Sequence, residues 1–296
     1  NICNFTPAMK VIDVKDFEKI SFLFKGEWGH RLAGFIMRFL AMDKVNQVYN
    51  NSGAYMGPEF TSRLLDDLSV DYLVGNAERL KSIPREGPFI TLSNHPYGGL
   101  DGIISIDLFA RIRNDYRFMV NKIISLVKTL DGNFITVTPT GNKKEGISRT
   151  SIKGIRETLD HLNSGHPVGF FPSGAVSDFS LIDLRVRDRK WQDSILHLIH
   201  SVKVPILPVR FFDKNSAFFY FLGIINWRIR LLRLPSEVFN KKKQNPRIGI
   251  GNLITVREQE QFSNPLALGS FLRKIVYEMP FPDSFVSRKM ININEI

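Results

Sequence analysis

The residues best placed to do chemistry stand in one short run, Asn94-His95-Pro96-Tyr97-Gly98-Gly99-Leu100-Asp101-Gly102. A carboxylate beside an imidazole fixes its tautomer and stabilises its protonated form, which frees the other ring nitrogen to take a proton from a nucleophile. His95 and Asp101 are candidates for such a pair, with Asn94 adjoining them. Gly98 and Gly99 would let the backbone fold tightly and a substrate approach closely. A plainer reading is also open, in which Asp101 caps the following helix and His95 is a turn residue.

Two further runs bear on the site. Phe171-Pro172-Ser173-Gly174 makes a turn whose backbone N–H groups and small hydroxyl could bind an anionic or carbonyl oxygen. Val204-Pro205-Ile206-Leu207-Pro208-Val209-Arg210 reads as a buried strand bracketed by prolines, and Arg210 is counted with the candidate substrate-binding residues.

These residues need a scaffold, and the chain supplies a regular one. The apolar runs Asp71 to Val74, Phe89 to Leu92, Tyr116 to Val120, Phe134 to Val137, Val168 to Phe171, Ile206 to Phe211 and Arg247 to Ile250 read as strands. Helical spacing falls between or after them at Gly102 to Arg111, Ser148 to Asn163, Trp191 to Val202 and Pro265 to Glu278. Strand and helix in alternation predict an α/β fold, a mostly parallel central sheet flanked by helices. In such a sheet His95 and the segments after Phe171 and Phe211 share the carboxyl edge, where ligands collect.

The first 70 residues predict an N-terminal helical segment packed on or beside the core. Between Lys10 and Tyr55, Trp28, Leu32, Phe35, Ile36, Phe39 and Leu40 fall on one side, and Glu59 to Leu68 forms a second helix. Residues 71–296 then form the α/β domain, the whole being one structural domain.

Composition narrows the function classes. Of the 296 residues 43% are hydrophobic, enough for a sizeable core, and the formal net charge of +11 predicts anionic partners. The one cysteine, Cys3, excludes an internal disulfide framework and a cysteine-rich zinc site, and it fits a reducing compartment. No apolar run reaches the ~20 residues of a membrane span, since Arg38 interrupts Leu32 to Met42 and Ala217 to Ile225 is too short.

The order of the blocks resembles the glycerolipid and lysophospholipid acyltransferase (PlsC-like) superfamily. That family carries a His-four-residues-Asp motif, a Gly-x-x-Phe-Ile-x-Arg block, a Phe-Pro-Glu-Gly block and a Val-Pro-Ile-x-Pro block. Here they correspond to His95 with Asp101, to Asp131 to Val137, to Phe171-Pro172-Ser173-Gly174 and to Val204 to Pro208, so the resemblance covers roughly Asp71 to Phe211. Five residues rather than four separate His95 from Asp101. That spacing, the Asn-His-Pro-x-Gly-Gly-x-Asp-Gly wording and Arg187-Asp188-Arg189-Lys190-Trp191 resemble the hemolysin-like branch, related to acyltransferases of ornithine and glycine lipids. Val137 stands where the family has Arg, and Ser173 where it has Glu, which removes groups that help hold a glycerol phosphate acceptor.

The resemblance implies acyl transfer from a thioester on acyl carrier protein or coenzyme A to the hydroxyl of a lyso-lipid. His95 would be the general base, Asp101 its partner, and Asn94, Gly98, Gly99, Phe171, Pro172, Ser173, Gly174 and Arg210 would bind substrate. Backbone N–H groups near Gly174 are expected to be oxyanion donors, and Lys143, Lys144 and Arg149 are expected either to replace the missing cations or to form a solvated loop. No bound cofactor or metal is expected, nor nucleic acid.

The same reading places the protein in the cytoplasm, on the inner face of an anionic membrane. Ala217 to Lys243, aromatic and then basic, reads either as a membrane or acyl-chain element or as a buried helix followed by a basic loop. Competing functions are a non-catalytic, basic lipid- or nucleic-acid-binding protein, and N-acylation of an amino-acid headgroup. His197 with His200, and His161 with His166, read as packing or helix-end residues rather than metal ligands.

Overall fold

The computed structural model describes residues 25–39, 41–121, 127–137 and 149–296. All seven expected strands are present, as β1 (Leu73–Gly75), β2 (Ile90–Ser93), β3 (Arg117–Asn121), β4 (Phe134–Val137), β5 (Val168–Phe170), β8 (Ile206–Phe211) and β9 (Arg247–Ile250). Three short strands escaped the sequence reading: the hairpin β6 (Asp178–Ser180) and β7 (Arg185–Arg187), and the edge strand β10 (Phe285–Ser287). Each is three residues long and carries polar residues, unlike the equally short but apolar β1 and β5, so no apolar run marks it.

The main sheet has the order β10-β1-β9-β8-β2-β5-β3-β4. From β8 to β4 the strands are parallel, with Ile90 opposite both Val168 and Ile206. At β9 the direction reverses: β9 is antiparallel to β8, β1 follows β9 in parallel, and β10 closes the edge antiparallel to β1. The expectation of a mostly parallel sheet holds, with a mixed edge added.

Eleven helices appear among the described residues: α1 (Gly26–Phe39), α2 (Met42–Ser52), α3 (Gly57–Asp67), α4 (Gly99–Ile112), α5 (Arg149–Asn163), α6 (Asp193–Val202), α7 (Ala217–Ile225), α8 (Trp227–Leu232), α9 (Leu234–Asn240), α10 (Val256–Gln259) and α11 (Pro265–Glu278). Every residue of β2 is buried because both faces of the sheet are covered. On one face Phe60 and Leu65 of α3 and Ile104 and Leu108 of α4 pack with Leu207, Val209 and Phe211 of β8. On the other, Leu162 of α5, Leu198 and Ile199 of α6 and Leu272 of α11 cover Ile90, Leu92 and Phe170.

Close strand–strand approach needs glycine at one point. A Cβ on Gly169 of β5 would lie 2.1 Å from the Tyr116 hydroxyl and 2.3 Å from the Phe118 ring. That hydroxyl is hydrogen-bonded to Thr91 of β2 at 2.6 Å, so the site cannot relax without breaking a buried bond. The first 24 residues, the start of the expected N-terminal helix, lie outside the described residues.

Candidate active site

The chain leaves β2 at Ser93 and turns at once, held by the side chain of Asn94. Its amide donates to the Phe211 carbonyl at 2.8 Å and accepts from the Phe211 N–H at 2.8 Å, copying a strand pairing between the ends of β2 and β8. Asn94 thus fixes the start of the loop with its own polar atoms and does not line the cavity described below. His95 is held by its backbone: its N–H donates to Asp188 Oδ1 at 3.1 Å and its carbonyl accepts from Ser177 N–H at 2.8 Å. Asp188 also accepts from the Ser177 hydroxyl at 2.5 Å, and its N–H donates to the Tyr277 hydroxyl.

The loop then closes on Asp101. Its Oδ2 lies 2.8 Å from His95 Nδ1 and accepts the backbone N–H groups of Tyr97 at 2.8 Å and Gly98 at 3.0 Å. Gly98 takes φ +82°, the left-handed region that glycine enters freely, and a Cβ there would lie 2.8 Å from Leu234. One carboxylate oxygen thus both caps the entrance to α4 and holds the imidazole. Asp101 is fully buried, and burial raises its carboxyl above the usual carboxylate range against the opposing pull of His95 and the two N–H groups.

The His95 ring is fixed on its second side by stacking. Phe171, at the end of β5, lies 3.9 Å away centroid to centroid at 17°. With Nδ1 taken by Asp101, the exposed working atom is Nε2, and the ring forms part of the wall of a cavity of about 1040 Å³. That volume is at the top of the ~300–1,000 Å³ usual for ligand sites. Its walls are apolar, from Tyr49 of α2 and Phe60 of α3 through Val120, Phe134 and Ile155 to Val238 of α9. Among the described lining residues none is Lys or Arg, and Val137, where the resembled family carries Arg, is one of them.

Of the residues expected to bind substrate, Gly98, Gly99, Phe171 and Gly174 line this cavity beside His95. Pro172 and Ser173 do not; the Pro172 carbonyl accepts from Gln192 N–H, and the Ser173 hydroxyl donates to the Ala175 carbonyl at 2.9 Å. The Gly174 N–H donates to the Phe171 carbonyl at 2.9 Å, so the turn itself consumes that expected oxyanion donor. Arg210 reaches away: its guanidinium donates to the Met279 carbonyl at 2.7 Å, at the end of α11, and stacks on Phe212. Strand alternation explains this, since Val209 and Phe211 face the α4 side and Arg210 between them must face the other. Lys143 and Lys144 lie outside the described residues.

Four of the other histidines are bound to protein groups. His166 meets Asp115 Oδ2 at 2.7 Å, His161 meets the Asp115 carbonyl, and His197 and His200 meet the carbonyls of Asp193 and Phe262. Among the described residues no three His, Cys, Asp or Glu side chains form a group able to hold a metal ion.

The half-buried His95 imidazole, held by a buried carboxylate at the edge of an α/β sheet, opens on this large, mostly apolar cavity. The sequence model of a family described as "Acyltransferase" matches residues 26–280. The chain belongs to this acyltransferase family. The lyso-glycine lipid O-acyltransferase of Bacteroides thetaiotaomicron is 23% identical over 255 residues, covering 84% of this chain and 89% of that one. The lyso-glycine lipid O-acyltransferase of Phocaeicola vulgatus is 22% identical over 290 residues, covering 94% and 99%. The acyltransferase is thus an enzyme that transfers acyl groups, of the hemolysin and glycine-lipid branch that the blocks around His95 resemble.

Two parts of the acyltransferase site were not legible in its sequence. In the sequence Asp188 stands only within Arg187-Asp188-Arg189-Lys190-Trp191, a run that resembles the hemolysin-like branch, yet its carboxylate holds the backbone of His95 from 93 residues away. The cavity draws its walls from helices and strands spread between Val45 and Phe239, and no local pattern joins them.

Proposed function

We propose that this acyltransferase moves a fatty acyl group from a thioester, on acyl carrier protein or coenzyme A, to the hydroxyl of a lyso-lipid. His95 is the general base and Asp101 its partner. The observation that carries this reading is the 2.8 Å His95–Asp101 pair set in the wall of an apolar cavity of about 1040 Å³. Hydrocarbon chains gain from an apolar enclosure, and a hydroxyl at its wall needs only one base to become a nucleophile.

The chemistry follows from the two ring nitrogens. Asp101 accepts Nδ1–H, which leaves the Nε2 lone pair to take the proton of the acceptor hydroxyl as its oxygen attacks the thioester carbonyl. Collapse of the tetrahedral intermediate forms the ester and expels the thiolate, which recovers the proton from Nε2. The buried Asp101 carboxylate stabilises the imidazolium between these steps. No Lys or Arg among the described lining residues is placed to hold a phosphate, which agrees with Val137 standing where the resembled family has Arg.

A peripheral position on the inner face of an anionic membrane completes the proposal. It is supported by the net charge of +11 and by the absence, among the described residues, of a helix long and apolar enough to cross a bilayer.

The test is transfer of labelled acyl groups from both thioester donors to lyso-lipids of the glycine, ornithine and glycerol phosphate types. Wild type should acylate the hydroxyl of the amino-acid lipids, and His95→Ala and Asp101→Ala should each lower the rate about 10²- to 10⁴-fold. Product formed at the wild-type rate by His95→Ala would refute the general-base role. Product carried on an amine would replace O-acylation with N-acylation.

A further inference from the structure

We infer that the α7–α8 hairpin is the surface by which this acyltransferase sits on an anionic bilayer; this rests on the reading of its acceptor as a lipid. The two helices are held rigidly from beneath. Ser216 caps α7 by accepting from Phe219 N–H, and its own N–H and hydroxyl donate to the buried Glu237 at 2.8 and 2.7 Å. Asn226 caps α8, and the inward Arg230 donates to Asp178 at 2.5 Å and to the Ser177 carbonyl. Phe219 and Tyr220 are buried against Val176.

The outer side of the same hairpin is apolar and uncovered. Phe218, Phe221, Ile224, Ile225, Trp227 and Leu232 are each 48–61% exposed, uncovered by packing among the described residues. Six large apolar side chains on 15 residues of helix form a patch of the kind that soluble surfaces avoid unless something covers it.

Charge decides what covers it. From Lys214 to Ser236 the chain has no Asp or Glu, and Lys214, Arg228 and the nearby Lys242 are exposed. Aromatic and aliphatic side chains ringed by cations match the boundary between acyl chains and anionic headgroups. The hairpin is too short to span a bilayer, so it lies in the interface.

The hairpin also touches the place where a lipid has to arrive. Leu231 of α8, and Leu234 where α9 opens directly after it, belong to the wall of the cavity that holds His95. A lipid leaving the headgroup layer beside α8 would reach that wall without its chain crossing water.

The experiment uses the whole chain and vesicles that contain neither acyl donor nor lyso-lipid, so binding is read independently of transfer. Vesicles of equal phosphatidylcholine and phosphatidylglycerol are compared with vesicles of phosphatidylcholine alone by flotation. Wild type should float with the anionic vesicles, and less so with neutral ones or at high salt. The Phe221→Ser/Ile225→Ser double variant should bind about tenfold or more weakly, since it removes two of the apolar anchors. Its thermal midpoint should be unchanged, as should its turnover of a short-chain acceptor kept below its micelle concentration. Equal binding by wild type and the double variant, or no binding by wild type, overturns the inference. Vesicle binding without acyl transfer to any acceptor would instead remove the proposed function and leave the docking surface standing.

Discussion

Asp101 carries two duties that a single substitution can separate. Its Oδ2 receives the Tyr97 and Gly98 N–H groups as well as His95 Nδ1, and an asparagine oxygen in that place can accept the same bonds. Asp101→Asn should therefore keep the loop but lose the charge that steadies the imidazolium, lowering turnover about 10²-fold or more. Its stability should move the other way. Burial raises the Asp101 carboxyl in the folded chain, so the protonated form is the one that folding favours. Its favourable contribution is present below the unfolded carboxylate range and is lost as pH rises through the folded value. At pH 7 to 8 the Asn variant should then melt at or above the wild-type temperature, with the gap closing toward pH 4. A variant that melts well below wild type at neutral pH would show that the charge itself holds the loop.

At the scale of elements, the loop depends on β2 and β8 being locked together at their carboxyl ends. Asn94→Ala strips both bonds to Phe211 and leaves its N–H and carbonyl buried without partners. Each orphaned group costs about 1–3 kcal/mol, and a denaturant titration should show a loss of that order. A change within experimental error would mean that water or a shifted loop replaces the amide. The exchange is specific to the end of the strands, which is why Asn94 read from sequence as part of a chemical motif while its side chain is a piece of sheet. Ser173 departs from its expected role for a similar reason, since its hydroxyl closes the turn on Ala175.

For the molecule as a whole, the cavity is the feature that most constrains function. Gly102 lies on its wall and a Cβ added there meets no heavy atom within 4 Å, so larger side chains at this position project into open space. Gly102→Leu should leave the fold intact and shift donor preference toward shorter acyl groups, read as turnover across a series of chain lengths. An unchanged preference would place the chain in another limb of the cavity. The α/β class and the seven apolar strands were legible in the sequence because they depend on periodicity, and His95 with Asp101 stood there as a candidate pair because six positions bring them within one loop. The sequence could not place Arg210, whose side is set by the register of β8, nor find Asp188, which meets His95 only once β7 is folded against the loop. The cavity and the exposed hairpin were decided by tertiary structure alone, since burial is a property of what packs above a residue and not of its neighbours along the chain.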